Sequence, residues 1–264
     1  MFDLTGRVTF VTGGAQGIGR AICLMHHERG AKVVVADKNV NGAGETLRLI
    51  EQAGGSGLAV QLDVSSEDAW ADAIEAVRQN YGRLDALVNN AGFMKPAPFE
   101  TVPHDDLRTS LAVNAESVFL GCRAALPLLR QTAESQGVSP AIVNISSVFG
   151  MMAGPAHVSY SASKGAIRGM AKGLAVELAR HQIRVNTVFP GPANTELLAN
   201  AVRATAAAGN NSPEERMNVL IKAHPMGRLA EPGDIAAVVT FLCTDASAFM
   251  TGAELVVDGG FSLL

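Results

Sequence analysis

Seven short apolar runs, separated by longer amphipathic ones, constrain this chain more than any single motif does. The strand-like runs are Val8–Thr12, Lys32–Asp37, Gly57–Val64, Asp85–Asn90, Ala141–Ser146, Ile183–Pro190 and Glu254–Asp258. They are rich in valine, and several are apolar almost throughout, as strands buried on both faces must be. Between them the pattern predicts helices near 17–29, 41–53, 67–80, 104–131, 157–180 and 231–243. Ser65-Ser66-Glu67-Asp68 is a recognisable helix start ahead of Trp70. Strands that alternate with helices in this way build parallel β–α units. The predicted fold is therefore α/β, a doubly wound parallel sheet of about seven strands with helices on both faces. No composition break resembles a linker, so one domain (1–264) is expected. Segment 192–225 departs from the rhythm, and its "ANAVRATAAAGNNSPEER" reads equally as a helical flap or a surface loop.

Composition narrows the functional classes. Apolar residues make up 48% and charged residues 17%, which suits a packed core and not a disordered chain. A net charge of −4 provides no basic footprint for nucleic acid. No run approaches the ~18 apolar residues of a membrane span, and the first apolar run ends in glycines where a signal peptide would have a cleavage site. The expectation is a soluble, cytoplasmic protein. Cys23, Cys122 and Cys243 lie too far apart to suggest a disulfide framework or a zinc knuckle. His26 and His27 are adjacent on a helix and point apart, so no metal site is predicted.

After the first strand comes Thr12-Gly13-Gly14-Ala15-Gln16-Gly17-Ile18-Gly19. The spacing is not G-x-G-x-x-G, but the context is that of a phosphate cradle: a strand, a tight glycine turn, then a helix whose free N–H groups face the turn. Asp37 closes the second strand 18 residues after Gly19, near the ~20-residue offset of an acid that accepts hydrogen bonds from a ribose. A carboxylate there repels a 2′-phosphate and favours NAD over NADP. Lys38 works against that repulsion, but the loop carries no Lys or Arg before Arg20.

Tyr160 and Lys164, in "SYSASKG", are four residues apart, a spacing shared by neighbours on any helix surface. Together with the glycine loop and Asn89-Asn90-Ala91-Gly92, they make the chain resemble the short-chain dehydrogenase/reductase family. The likeness spans essentially the whole sequence: T-G-x-x-x-G-x-G at Thr12–Gly19, N-N-A-G, a serine thirteen residues before the tyrosine, Y-x-x-x-K, P-G at Pro190-Gly191, and V-D-G-G at Val257–Gly260.

The resemblance implies a Rossmann-type sheet, hydride transfer with a nicotinamide dinucleotide and, commonly, a homotetramer. It implies a catalytic set of Asn114, Ser147, Tyr160 and Lys164, with Ser147 preferred to Ser146 by its spacing. Gly13, Gln16, Gly17, Ile18 and Gly19 would wrap the pyrophosphate and Asp37 would hold the ribose. Asp63 and Val64, at the end of the third strand, would line the adenine pocket. Asn90, Ala91 and Gly92 would lie under the cofactor, and Thr195, after Pro190 and Gly191, would meet the carboxamide. Ala193 departs from the branched aliphatic residue common at its position. Phe93, Met94, Met151, Met152 and Leu197 fall where the family lines its substrate pocket. His157 either shares a face with Tyr160 or simply begins the helix.

A free phenol is a weak base near neutral pH, since its pKa is ~10. The ammonium of Lys164 would lower that value and make Tyr160 the proton-transfer group. Ser147 would orient the reacting oxygen and Asn114 would support a proton relay to the lysine. The function expected is NAD(H)-dependent interconversion of a secondary alcohol and a ketone on a hydrophobic cyclic, steroid-like or aliphatic skeleton. Two alternatives are NADPH-dependent reduction of a 3-oxoacyl carrier protein, for which Arg123, Arg130 and Arg168 are the candidate docking patch, and a non-catalytic dinucleotide-binding regulator.

Overall fold

Valine-rich runs with no polar face cannot stand at a sheet surface, and here they sit at its centre. The computed structural model describes residues 2–209 and 212–264. Strands β1 (Val8–Thr12), β2 (Lys32–Asp37), β3 (Gly57–Gln61), β4 (Ala86–Asn89), β5 (Ala141–Ile145), β6 (Arg184–Pro190) and β7 (Glu254–Val257) form one sheet, ordered β3-β2-β1-β4-β5-β6-β7. All pairings are parallel. The order reverses between β1 and β4, and a crevice opens at the carboxyl ends of strands at such a switch point.

Alternate residues of each strand feed two separate cores. Val33 and Val35 pack with Ile22, Val88, Val143, Ile235 and Leu242 on one face. Val34 and Phe10 pack with Trp70, Leu87, Leu128, Ile142 and Val185 on the other. The first core is roofed by α1 (Gly17–Glu28), α2 (Val40–Gln52) and α9 (Pro232–Cys243), the second by α3 (Glu67–Tyr81), α5 (Ser117–Gln136) and α6 (Val158–Leu178). Trp70 stacks on Phe10 with ring centroids 5.7 Å apart, and Gly121 has no room for a side chain because the indole fills it. Ser66 starts α3 as expected, its hydroxyl accepting from Ala69 N at 3.2 Å.

The departures from the sequence reading have local causes. β3 ends at Gln61, so Asp63 and Val64 lie in the following loop and not on the strand. Asp63 accepts from Ser65 N (3.1 Å) and Ser65 Oγ (2.6 Å), and this turn peels the chain off the sheet. Segment 192–225 holds two helices, α7 (Glu196–Ala208) and α8 (Pro213–Lys222); its residues 210–211 lie outside the described ones. Thr195 caps α7 through Leu198 N (3.3 Å). Ser212 and Glu215 cap α8 reciprocally, at 3.1 and 2.8 Å. The helical run from His104 comprises α4 (His104–Ser110), a wide π-helical turn Leu111–Glu116, and α5. By length and composition the run His104–Gln136 could cross a membrane, contrary to the sequence reading, but half of its apolar window is buried inside the protein.

Candidate active site

One cleft of about 850 Å³ runs over the carboxyl ends of the strands, from Asp37 to α7 and α8. That volume is at the upper end of small-molecule sites. Its floor is the glycine turn. Gly13 and Gly17 have φ of +65° and +55°, the left-handed region where a side chain is strained. A Cβ on Gly19 would run into the Gly13 carbonyl, and one on Gly13 would come within 3.0 Å of Ala91 Cα. The turn is bolted to the N-N-A-G segment by Thr12, a residue whose role the motif alone did not disclose. Its Oγ1 accepts from Asn90 N (2.9 Å) and Ala91 N (3.0 Å), and Asn90 Nδ2 donates to Thr12 O (2.9 Å). The result is a rigid, side-chain-free cradle at the N-terminus of α1, a geometry that fits a pyrophosphate.

At one end of the cleft the Asp37 carboxylate accepts from Ala15 N (3.0 Å) and Asn39 N (2.9 Å), which fixes its position. Lys38, which complicates the charge argument in the sequence, donates to Asp63 Oδ2 at 2.7 Å. Asp63 is held well below the usual carboxylate range, at about 2, chiefly by that ammonium. Arg20 is likewise occupied by Glu45 (2.9 Å) and the Ala15 carbonyl (2.5 Å). Val64 takes its place in the wall because its carbonyl accepts from Trp70 Nε1 at 3.0 Å.

In the middle of the cleft, Ser147, Tyr160 and Lys164 converge, all three buried. Ser147 follows β5, and its Oγ accepts from Phe149 N at 3.2 Å, which leaves its own proton to donate elsewhere. Tyr160 and Lys164 come one turn apart from α6, with Nζ 5.7 Å from the ring centroid. Lys164 Nζ donates to the Ile145 carbonyl at 2.8 Å. Ser146, the rejected alternative to Ser147, is used on the backbone: its Oγ donates to Lys164 O at 2.9 Å and docks α6 onto β5.

One expectation about this cluster is corrected. The sequence argument has the lysine lowering the pKa of the phenol. Among the protein's own groups burial prevails: it pushes Tyr160 up to about 12, opposed by the Ser147 hydroxyl. Burial also brings Lys164 down to about 7. Both groups are cut off from water, which disfavours the charged form of each. Asn114 braces the cluster from the side. It sits in the π-helical turn, a feature frequent at functional sites, but its amide is fully engaged. Oδ1 accepts from Phe93 N (2.7 Å), and Nδ2 donates to Phe93 O (2.9 Å) and Ser163 Oγ (2.8 Å). Ser163 in turn donates to Tyr160 O at 2.7 Å. The side chain ties the loop after Gly92 to α6.

At the other end, Met94, Met152, His157 and Leu197 line the cleft. Phe93 and Met151 do not: Phe93 contributes its backbone to Asn114, and Met151 faces outward, 43% exposed. His157 caps the start of α6, stacks on Phe149 (4.7 Å, 28°) and shares a 2.6 Å hydrogen bond with the Pro155 carbonyl. Phe149 meets Tyr160 edge-on at 6.4 Å. Pro190, Gly191, Thr195 and Ala193 close the wall beside Gly17, and Gly191 is required because a Cβ there would come within 2.7 Å of Asp258 Cβ. Of the candidate carrier-protein patch, Arg123 pairs with Glu67, Arg168 makes two bonds to Glu254, at 2.9 and 2.7 Å, and Arg130 Nε is buried with no hydrogen-bond partner among the described residues.

A parallel sheet in this order, with a glycine cradle at its switch point and a buried Ser–Tyr–Lys cluster facing it, defines an oxidoreductase of the nicotinamide-dinucleotide class. The chain belongs to the short-chain dehydrogenase/reductase family: a family model described as enoyl-(acyl carrier protein) reductase matches residues 13–262. It is 37% identical over 260 residues to a 2,5-dichloro-2,5-cyclohexadiene-1,4-diol dehydrogenase of Sphingobium indicum, covering 98% of each chain. It is 35% identical over 262 residues to cyclopentanol dehydrogenase of Comamonas testosteroni, covering 99% of each. To an NADP-dependent (R)-specific alcohol dehydrogenase of Lentilactobacillus kefiri it is 37% identical over 263 residues, covering 98% of each. Among solved structures, levodione reductase superposes with a TM-score of 0.92 at 30% identity, covering 98% of this chain and 99% of the other.

Proposed function

We propose that this oxidoreductase transfers hydride between NAD(H) and a secondary alcohol or ketone on an apolar, cyclic skeleton. The observation that carries the reading is the burial of Ser147, Tyr160 and Lys164 side by side under one cleft wall, next to a cradle only glycine can form. Gly13, Gln16, Gly17, Ile18, Gly19, Asn90, Ala91 and Gly92 would hold the pyrophosphate and the ribose beyond it. Asp37 would hold the adenosine ribose, and Asp63 and Val64 would border the adenine. Pro190, Gly191 and Thr195 would flank the nicotinamide. NAD is favoured over NADP by the fixed Asp37 carboxylate and by the engagement of Lys38 with Asp63. The dinucleotide, when bound, exchanges hydride with the substrate carbon, and its oxidised ring is positive.

The chain's own residues move the proton. As the phenolate, which the positive oxidised ring would favour, Tyr160 Oη would take the proton from the alcohol; as the phenol it would give its proton to the carbonyl oxygen. Ser147 donates a hydrogen bond to that same oxygen and sets its distance from Tyr160. Lys164, kept next to the phenol by α6, adds positive charge whenever it is protonated. Asn114 is a positioning residue that holds α6 and the Gly92 loop together. The cyclic, apolar substrate class is supported by Met94, Met152 and Leu197 in the wall and by the names of two relatives.

Tyr160→Phe tests the assignment, because it removes one oxygen and keeps the packing. With cyclohexanol and NAD⁺, kcat should fall by about 10²- to 10⁴-fold, while NADH binding, read by fluorescence, stays within about twofold. A variant that retains more than a tenth of wild-type kcat removes Tyr160 from the chemistry.

A further inference from the structure

The cleft holds one charged side chain that nothing described so far uses. Arg216 stands on α8 and lines the cleft, one helical turn before Leu220, which lines it too. Each other charged group in the lining has a partner. Asp37 has two backbone N–H groups, Lys38 has Asp63, and Lys164 has the Ile145 carbonyl. Glu196 pairs with Arg203 at 2.8 Å. Among the described residues, the Arg216 guanidinium makes no hydrogen bond or ion pair. It is half-buried against a largely apolar wall, and it cannot shed its charge. His157, stacked on Phe149 and through it against Tyr160 with ring centroids 4.7 and 6.4 Å apart, lines the same cleft; burial chiefly, and the Arg216 charge to a smaller degree, disfavour its protonation. A half-desolvated, unpaired guanidinium attracts an anion far more strongly than an exposed one does, and its planar fork suits a carboxylate.

We infer that Arg216 binds an anionic group, a carboxylate, on the substrate, so that the preferred substrate is a cyclic hydroxy- or oxo-acid and not an uncharged ketone. This rests on the dehydrogenase reading above. The reacting oxygen meets Ser147 and Tyr160 at one end of an apolar ring, and the carboxylate meets Arg216 at the other. The two acids of the cleft outside the flap, Asp37 and Asp63, lie at the adenosine end, so no carboxylate there competes. Arg216 is a specificity residue here and takes no part in moving hydride or proton.

The test compares 3-oxocyclohexanecarboxylate with its neutral isostere 3-oxocyclohexanecarboxamide, with NADH, in wild type, Arg216→Gln and Arg216→Lys. The wild-type ratio of kcat/KM, acid over amide, should be about tenfold to a hundredfold. It should fall to about one in Arg216→Gln and to an intermediate value in Arg216→Lys, which keeps the charge and loses the fork. The ratio is internal to each protein, so a general loss of folding or cofactor binding cancels. A wild-type ratio near one, or a ratio that Arg216→Gln leaves unchanged, overturns the inference. Calorimetric titration with cyclohexanecarboxylate separates the two readings. If neither ketone nor cyclohexanone is reduced, the dehydrogenase reading fails; if the carboxylate then still binds wild type at least tenfold tighter than Arg216→Gln, the anion site stands alone. Equal binding to both proteins overturns it.

Discussion

On the NAD reading proposed above, replacing Asp37 by asparagine should let NADP(H) in, and the fixed carboxylate gives the size of the change. The carboxylate is pinned by Ala15 N and Asn39 N, so it cannot swing away from an incoming 2′-phosphate. Two unit charges ~5 Å apart repel by about 3.3 kcal/mol at an effective dielectric constant of about 20. Partial exposure and salt reduce that by roughly half, while the phosphate's charge of nearly −2 restores part of it. The expected discrimination is about 1.5 to 3 kcal/mol, roughly a tenfold to a hundredfold change in the NADH/NADPH ratio of kcat/KM. Asparagine keeps one acceptor oxygen and loses the other, so the turn is also weakened by about 1 kcal/mol. That cost is common to both cofactors and cancels in the ratio. Asp63→Asn, made on the Asp37→Asn background, frees the Lys38 ammonium and should raise NADPH use a further few-fold. Binding of adenosine 2′,5′-bisphosphate relative to ADP, by calorimetry, should move in parallel without any turnover. If wild type already prefers NADPH, or the ratio in Asp37→Asn equals that of wild type, the charge argument is refuted.

Other outcomes follow from single distances and burial. Gly19→Ala puts a methyl into the Gly13 carbonyl, so the cradle must open; NADH affinity should drop at least tenfold with the fold retained, and unchanged affinity would show that the turn yields freely. His26 is completely buried, with Nδ1 3.1 Å from Thr9 Oγ1, and burial takes its pKa from 6.5 to about 3. The folded state then binds the proton less readily than the unfolded chain, so this stability is full above pH 6.5 and is lost as pH falls toward 3. The slope is about 1.4 kcal/mol per pH unit. Between pH 7 and 5, urea unfolding should cost wild type roughly 2 kcal/mol more than it costs His26→Gln; equal losses would rule His26 out.

The sheet was legible because periodicity is a local property. A strand such as Val33–Ala36 must be apolar on both faces if helices cover both, and that shows in four consecutive letters. The strand ends were less legible: β3 stops at Gln61 because Asp63 accepts from Ser65, a contact that depends on a turn and not on hydrophobicity. Within segment 192–225, "GNNSPEER" reads as a solvated helix start, and Ser212 and Glu215 do cap α8; the alanine-rich run before it stayed open between flap and loop, because alanine alone marks neither a buried nor an exposed face. The candidate site was legible in residue identity: glycines without room for a Cβ, and a tyrosine and a lysine one turn apart after a serine.

What those residues do to one another was decided only in three dimensions. Sequence places Lys164 next to Tyr160 and implies that its charge acts on the phenol. The fold dehydrates both groups, so burial sets the direction of both shifts. Asn114 is read as a relay residue, and the fold pairs its amide with Phe93 and Ser163. Lys38 sits beside Asp37 in the chain, and the fold hands it to Asp63. Arg216, fifty-six residues beyond Tyr160, has no sequence signal at all, and it faces the cleft because α8 folds back over it. Sequence by itself determined which backbone could form and which chemical groups it carries. Tertiary structure decided their solvation and their partners, because charge and proton affinity depend on what lies within a few ångströms in space and not on spacing along the chain.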